Sequence, residues 1–178
     1  MKATHLTLVC HALTQSQKAG CLPAPGDLLV QSAWQAFETP PDTHVITAPE
    51  QRARETASRF GNARVAPLLA DCDLGDWQGM PLKQLQAEQP QALADWLQDT
   101  ASTVHGGESF AALCQRMAAW LVTFDRPGAW LAVTHPWVIR AVLVQVLGCP
   151  LSAAQRIDIL PLSRLQLAFT GQWRLRVS

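Results

Sequence analysis

The sequence predicts an α/β fold in which parallel strands lead into helices, and three segments carry that expectation. Leu6, Leu8 and Val9 make a short apolar run without the polar alternation of an exposed sheet, as in a parallel strand covered on both faces, and the run stops on His11. Ala129 to Thr134 repeats the pattern. It stops on His135, and the apolar run Val138, Ile139, Ala141, Val142, Leu143 and Val146 that follows reads as a helix. Between them Val45-Ile46-Thr47 runs into Pro49 to Ala57, a helix opened by a proline at a position that suits it. In open α/β sheets the loops beyond the strands' carboxyl ends form the crevice where ligands and chemistry collect. Two such ends here offer a histidine and one offers Arg52. Imidazole can take a phosphoryl group covalently, and guanidinium binds its oxygens through a planar fork of donors. Taken singly, His11 reads more readily as a core histidine capping a strand; the second copy at His135 gives it weight.

Along the chain, Gln15 to Gly26 is a polar loop containing Pro and Gly. A helix is expected from about Asp27 to Phe37, ended by Pro40-Pro41-Asp42. The helix after Pro49 places Arg52 in its first turn, where free N–H groups and the positive end of the dipole favour an anion, whereas Arg54 reads as part of a solvated face. Asp71 to Gly79 is a turn-rich acidic loop that, left alone, would be a surface loop. Pro81 to Leu97 predicts one or two short helices broken at Pro90, with Leu82, Leu85, Leu93, Trp96 and Leu97 as packing residues and the whole lying over the site as a cap. Ser109 suits an N-cap, and Phe110, Leu113, Cys114, Met117, Leu121 and Phe124 follow at helical spacing as a core-facing stripe. Leu165 to Phe169 and Trp173 to Val177 flank Thr170-Gly171-Gln172 as a hairpin at the sheet's edge.

A chain of 178 residues is expected to form one domain, 1–178, and its 48% hydrophobic content is ordinary for a globular core. Fourteen basic residues balance fourteen acidic ones, so no global field draws in nucleic acid or an anionic membrane, and any attraction for phosphate must be local. The opening strand is too short for a signal-peptide core and no apolar run approaches a membrane span, which leads to the expectation of a cytoplasmic protein. Five cysteines without paired spacing suit reduced thiols, and no zinc pattern appears. Cys10 and Cys72 flank His11 and Asp71, which leaves a metal site there as an alternative. Cys10 is not expected to be a nucleophile, because Ser16 stands where a cysteine-phosphatase loop needs arginine.

In motif order and spacing the chain resembles the histidine phosphatase superfamily, the phosphoglycerate mutase-like proteins, over most of its length. Cys10-His11-Ala12 stands where that family carries Arg-His-Gly, and Thr14 matches its following threonine. Leu28 to Ala36 resembles its Leu-Thr-x-x-Gly-x-x-Gln-Ala helix, with Ser32 for the glycine. Thr47 to Ala57 matches Ser-Ser-x-x-x-Arg-Ala-x-x-Thr-Ala, identifying Arg52 as the phosphate-binding arginine. Asp71, Gly75, Trp77 and Gly79 fill Glu-x-x-x-Gly-x-Trp-x-Gly; Gly107-Glu108-Ser109 with Arg116, and His135 to Ala141, match the remaining motifs.

The resemblance implies a three-layer sandwich around a mostly parallel central sheet, and a phosphatase of small phosphomonoesters that needs no cofactor or metal. Neutral His11 would attack phosphorus, giving a phosphohistidine; Arg52 and His135 would hold the nonbridging oxygens; Asp71 would serve as general acid and base. Thr14 and Trp137 join Arg52 as substrate-binding candidates. The implied partner is a small phosphorylated metabolite or phosphate, and a stretch from Trp96 to Ser109 loosely resembles the α-ribazole phosphatase branch. The departures are concentrated at the phosphate. A neutral Cys10 cannot replace a bidentate cation, Ala12 matters if its turn needs a positive φ, and Trp137 either narrows the pocket or packs on the cap. Lys18 and Arg140 are candidate replacement cations. The alternative is a pseudoenzyme that binds a phosphorylated ligand or protein partner without turnover.

Overall fold

The computed structural model describes residues 3–124 and 126–177. Its strands are β1 (Thr4–Cys10), β2 (His44–Thr47), β3 (Ala63–Val65), β4 (Gly128–Thr134), β5 (Arg164–Phe169) and β6 (Trp173–Arg176). They form one mixed sheet in the order β3-β2-β4-β1-β5-β6. β3, β2, β4 and β1 are mutually parallel, and the hairpin β5-β6 adds antiparallel to the free side of β1. The helices are α1 (Gln15–Lys18), α2 (Gln51–Ala57), α3 (Leu82–Glu88), α4 (Pro90–Gln98), α5 (Phe110–Thr123) and α6 (Pro136–Leu147). No helix among the described residues is long and apolar enough to cross a membrane.

β1 and β4 lie inside the sheet, and that explains their near-continuous apolar character. Leu6, Leu8, Val9 and Cys10 are buried, as are Leu131, Ala132 and Val133 beside them. α6 covers β1 and packs on α5 and β6, bringing Val138, Ile139 and Val142 onto the core with Leu113, Met117 and Leu121 of α5. α2 packs on β2 and β4. Burying a Leu or Ile side chain stabilises by about 1.5–3 kcal/mol, so each of these buried residues contributes on that scale.

The helix ends follow local chemistry. The Ser109 hydroxyl accepts from Ala112 N (3.1 Å) at the start of α5. Pro136 opens α6, and Gly148 closes it at φ +62°, donating to the Val144 and Gln145 carbonyls. Pro90 separates α3 from α4 as expected, although Leu82 and Leu97 are exposed and only Leu85 and Leu93 of the four leucines are buried. Pro49 lies just ahead of the N-cap Glu50, and Arg52 falls in the first turn of α2.

The expected helix from Asp27 to Phe37 does not form, and tertiary partners account for it. Val30 N donates to Leu13 O and Gln15 N to Leu28 O, so this stretch pairs with the loop after β1 as a short bridge. Asp27 accepts from Ser16 N, with no helix of its own to cap. Trp34 and Phe37 both pack on Phe60, at 6.2 and 4.9 Å between ring centroids. The helical turn arises earlier, within the stretch expected to be loop. Thr14 Oγ1 accepts from Gln17 N while Gln17 Oε1 accepts from Thr14 N, a capping box that nucleates α1.

Ser109→Ala removes the cap of α5 while leaving its buried stripe intact. Urea denaturation should show a loss of about 1 kcal/mol with an unchanged m-value.

Candidate active site

The register of β1 on β4 sets Cys10 beside Thr134, and His11 N donates to Thr134 O. The residues that follow, His11 and His135, therefore emerge side by side, with ring centroids 5.2 Å apart. Both are buried. His11 Nδ1 lies 2.8 Å from Ala12 O, and since a carbonyl only accepts, Nδ1 carries the hydrogen and Nε2 presents its lone pair. Burial, and then the neighbouring His135, push the His11 pKa down to about 4, so the ring is neutral near pH 7.

The first turn of α2 brings Arg52 to the same point, its side chain only 2% exposed. Nε donates to His135 Nδ1 (3.3 Å), Nη1 to Ala24 O (2.7 Å) and Nη2 to Asp71 Oδ2 (2.7 Å). Asp71 Oδ2 also sits 3.5 Å from His135 Nδ1. The Asp71 carboxylate thus occupies Arg52 Nη2, one of the donors that an incoming anion would use. A cavity of about 210 Å³, lined in part by Pro23, Pro25, Glu50, Arg52, Asp71 and Gln78, opens beside it.

The loop that carries Asp71 is fixed from α5. Arg116 grips both oxygens of Glu108 (3.0 and 2.7 Å) and donates to the carbonyls of Leu68, Ala70 and Asp71. Beyond it Gly75, at φ +49°, and Gly107 pass so close to opposing backbone that a Cβ on either would collide with the carbonyl oxygen of His105 or Asp73 respectively. Four expected site residues, His11, Arg52, Asp71 and His135, are thereby brought together from four separate segments.

The other candidates stand differently. Thr14 is fully buried with its hydroxyl in the capping box of α1. Trp137 meets Trp96 of α4 edge-on and Phe110 of α5 at a tilt, with ring centroids 5.4 and 5.6 Å apart, so its indole packs between these two helices. Cys10 is fully buried, and burial pushes its thiol up to about 12, leaving it neutral. Ala12 has no positive φ, so the missing glycine costs this turn nothing; its N–H donates to Thr56 Oγ1. Lys18 is exposed at the end of α1, and Arg140 lies over Trp137 and donates from Nε to Ile157 O. Among the described residues no three His, Cys, Asp or Glu side chains are grouped to hold a metal ion.

One further site residue is not legible from the sequence. Glu50, the N-cap of α2, makes no capping bond; its Oε2 lies 2.7 Å from His135 Nε2 and its Oε1 accepts from Asp71 N (2.9 Å). It falls within the motif around Arg52, two residues before the arginine, yet 85 residues from His135, so only a carboxylate at that motif's helix start hints at it.

By fold and site the chain is an α/β protein that gathers an arginine, two histidines and two carboxylates at the carboxyl ends of adjoining strands. The model of the histidine phosphatase superfamily (branch 1) matches residues 6–177, and the chain belongs to that superfamily. A glucosyl-3-phosphoglycerate phosphatase of Mycobacterium tuberculosis is 31% identical over 126 residues, covering 61% of this chain and 56% of that protein. A bifunctional protein of the same species is 35% identical over 132 residues, covering 70% of this chain and 36% of its own length. The chain therefore spans about half or less of these curated relatives. Among solved structures, a mycobacterial glucosyl-3-phosphoglycerate phosphatase superposes with a TM-score of 0.79 at 22% identity, covering 99% of this chain and 98% of that one. A putative α-ribazole-5'-P phosphatase of Escherichia coli gives 0.82 at 21% identity, covering 98% of this chain and 96% of that one, likewise a likeness of fold.

Two acid-sensitive windows follow from the buried groups. His11 has its folded pKa lowered from 6.5 to about 4, so the unfolded chain binds the extra proton and the stability this histidine confers above pH 6.5 is lost as the pH falls towards 4. Glu50, held down to about 2 chiefly by its bond and charge interaction with His135 against the opposing effect of burial, contributes above pH 4.5 and is lost between 4.5 and 2. Denaturant unfolding measured against pH should show His11→Asn removing about one proton from the upper window and leaving the lower one in place.

Proposed function

We propose that the chain is a phosphoric monoester hydrolase that acts on small phosphorylated metabolites through a phosphohistidine at His11. The observation that carries this reading is the His11 ring itself, neutral, with Nδ1–H on the Ala12 carbonyl and the Nε2 lone pair free for attack. Family membership and the names of the curated relatives support the reaction class. The cavity of about 210 Å³ lies against Arg52 and Asp71 and is not lined by either histidine; below the roughly 300–1,000 Å³ of pockets for drug-sized ligands, it suits a small leaving group beside the phosphate-holding arginine.

Chemically, the incoming phosphate takes Arg52 Nη2 from Asp71, and Arg52 and His135 hold its nonbridging oxygens. Nε2 of His11 bonds to phosphorus as the bond to the ester oxygen breaks. Asp71, freed from its ion pair, takes a proton from the phosphomonoester monoanion or from solvent and gives it to the departing alkoxide. A water then loses a proton to the Asp71 carboxylate and attacks phosphorus, which releases phosphate and restores the His11 lone pair. Positioning and electrostatics supply most of the acceleration in such a transfer.

A phosphodonor should leave one acid-labile, base-stable phosphate on the protein. Intact-mass spectrometry is expected to find it on the wild type and not on His11→Ala; a label that persists in the variant overturns the assignment.

One observation favours a second reading, a pseudoenzyme that binds a phosphorylated ligand without turnover. Cys10 is a buried neutral thiol where the family's first arginine stands. Losing one preorganised donor costs on the order of a hundredfold in rate. Under the hydrolase reading Cys10→Arg should raise kcat/KM by about that factor and strengthen inhibition by inorganic phosphate. A folded variant that gains phosphate affinity and still turns over nothing selects the pseudoenzyme.

A further inference from the structure

We propose that Glu50 is a positioning residue that readies His135 to hold a phosphoryl oxygen as a cationic donor, filling part of the role left open by Cys10. This inference rests on the phosphatase reading above and assigns a function to a residue that reading does not use.

A carboxylate at an N-cap ordinarily accepts from the first-turn N–H groups of its own helix. Glu50 forgoes that bond and spends both oxygens across the site, Oε2 on His135 Nε2 at 2.7 Å and Oε1 on the Asp71 N–H at 2.9 Å. It joins the second histidine to the acid loop through one side chain.

The hydrogen-bond logic at His135 then gives Glu50 its consequence. An ionised carboxylate only accepts, so Nε2 carries a hydrogen. Nδ1 accepts from Arg52 Nε at 3.3 Å, so the resting ring turns a lone pair towards the site. A phosphate oxygen is also an acceptor, and a lone pair facing it repels. When phosphate draws Arg52 away, His135 can hold the anion only by taking a proton on Nδ1, becoming an imidazolium with one N–H on Glu50 and one on phosphate. The ring is completely buried, where a lone cation is costly; the Glu50 carboxylate in direct contact supplies the countercharge.

Among the groups around the ring, His11 and Glu50 do not take that proton, and the one that Asp71 carries under the proposed chemistry goes to the leaving group. Facing it are His11 from the end of β1, Arg52 and Glu50 from α2, and Asp71 from the acid loop. On its own helix, Arg140 is turned to Trp137 and Ile157 O. His11 keeps Nδ1–H on a carbonyl and needs its Nε2 lone pair for attack. Glu50, held ionised down to about pH 2, is a fixed charge and no proton donor.

The direct test is nitrogen-15 NMR of the histidine side chains at pH 7, titrated with inorganic phosphate. On the wild type, saturating phosphate should move the His135 Nδ1 resonance from the lone-pair to the N–H range and leave His11 Nε2 unprotonated. If His135 Nδ1 stays unprotonated, or phosphate does not bind at all, the inference is overturned without recourse to any variant. In Glu50→Gln the change at Nδ1 should be lost at pH 7. Its kcat/KM should fall about a hundredfold, the scale of one transition-state donor, and recover towards lower pH, where the higher proton activity forms the imidazolium even without its countercharge. A purely structural role predicts a loss with an unmoved pH profile, which also overturns the inference. The two readings fail separately. Protonation of His135 by phosphate without any phosphoenzyme at His11 sinks the hydrolase and keeps Glu50; a phosphoenzyme with wild-type behaviour in Glu50→Gln does the reverse.

Discussion

The pairing of β1 with β4, with Cys10 opposite Thr134, is the constraint on which the rest of the site depends. The two histidines meet because each follows directly on its strand and the strands end at the same level. A slip of one residue would turn each strand's buried set to the other face, and both faces here are packed. Core burial and site geometry are therefore fixed by one register. The turn leading into the antiparallel hairpin on the other side of β1 adds to this, since Cys10 N donates to Ser163 O and Leu162 N donates to the Cys10 carbonyl. The strand end that presents His11 is thereby bonded on both sides.

Electrostatic balance is the second constraint. Arg52 is a buried cation whose every side-chain nitrogen has a partner: a carboxylate, a carbonyl and an imidazole. Such a group is tolerable only when paired, and removing one partner from a buried pair leaves a costly unpaired charge. The resting pocket is thus closed on itself, with Asp71 standing where an anion would stand. Under the proposed chemistry, binding would exchange one anion for another and keep the desolvated arginine partnered throughout. Two carboxylates, Glu50 and Asp71, accompany the single arginine, so the resting site carries less positive charge than its residue types first suggest.

Much of this arrangement is legible in the amino-acid sequence, because its signals are local. Strands that end on a histidine announce themselves through apolar runs, and Arg52 through its distance past a strand end. The spacing of Asp71 to Gly75 and Trp77 reflects a real crossing, since Gly75 and Gly107 leave no room for side chains where the loops meet. The stretch from Asp27 to Phe37 has a composition that suits a helix, yet its backbone bonds to the loop after β1 and its aromatic rings pack on Phe60. Glu50 is hidden for a related reason. An acidic residue at a helix start already has a sufficient local explanation, and the bond to His135 that replaces it spans 85 residues. Thr14 is the opposite case, a residue whose motif position points to the site while its hydroxyl is spent on a cap.

The grip of Arg116 on the acid loop has a geometric consequence. The carbonyls of residues 68, 70 and 71 are held from α5, and the amide of Asp71 is held by Glu50. The backbone at Asp71 is an anchored post, and its carboxyl group can travel only along the short arc that its own side-chain torsions sweep. Under the proposed chemistry that arc acts as a ruler. An ester oxygen that falls on it departs as an alcohol, and one that falls outside it must depart as a bare alkoxide. With an aspartate at this post the radius is one methylene shorter than a glutamate would give, so selection among substrates would lie in where they place a single oxygen.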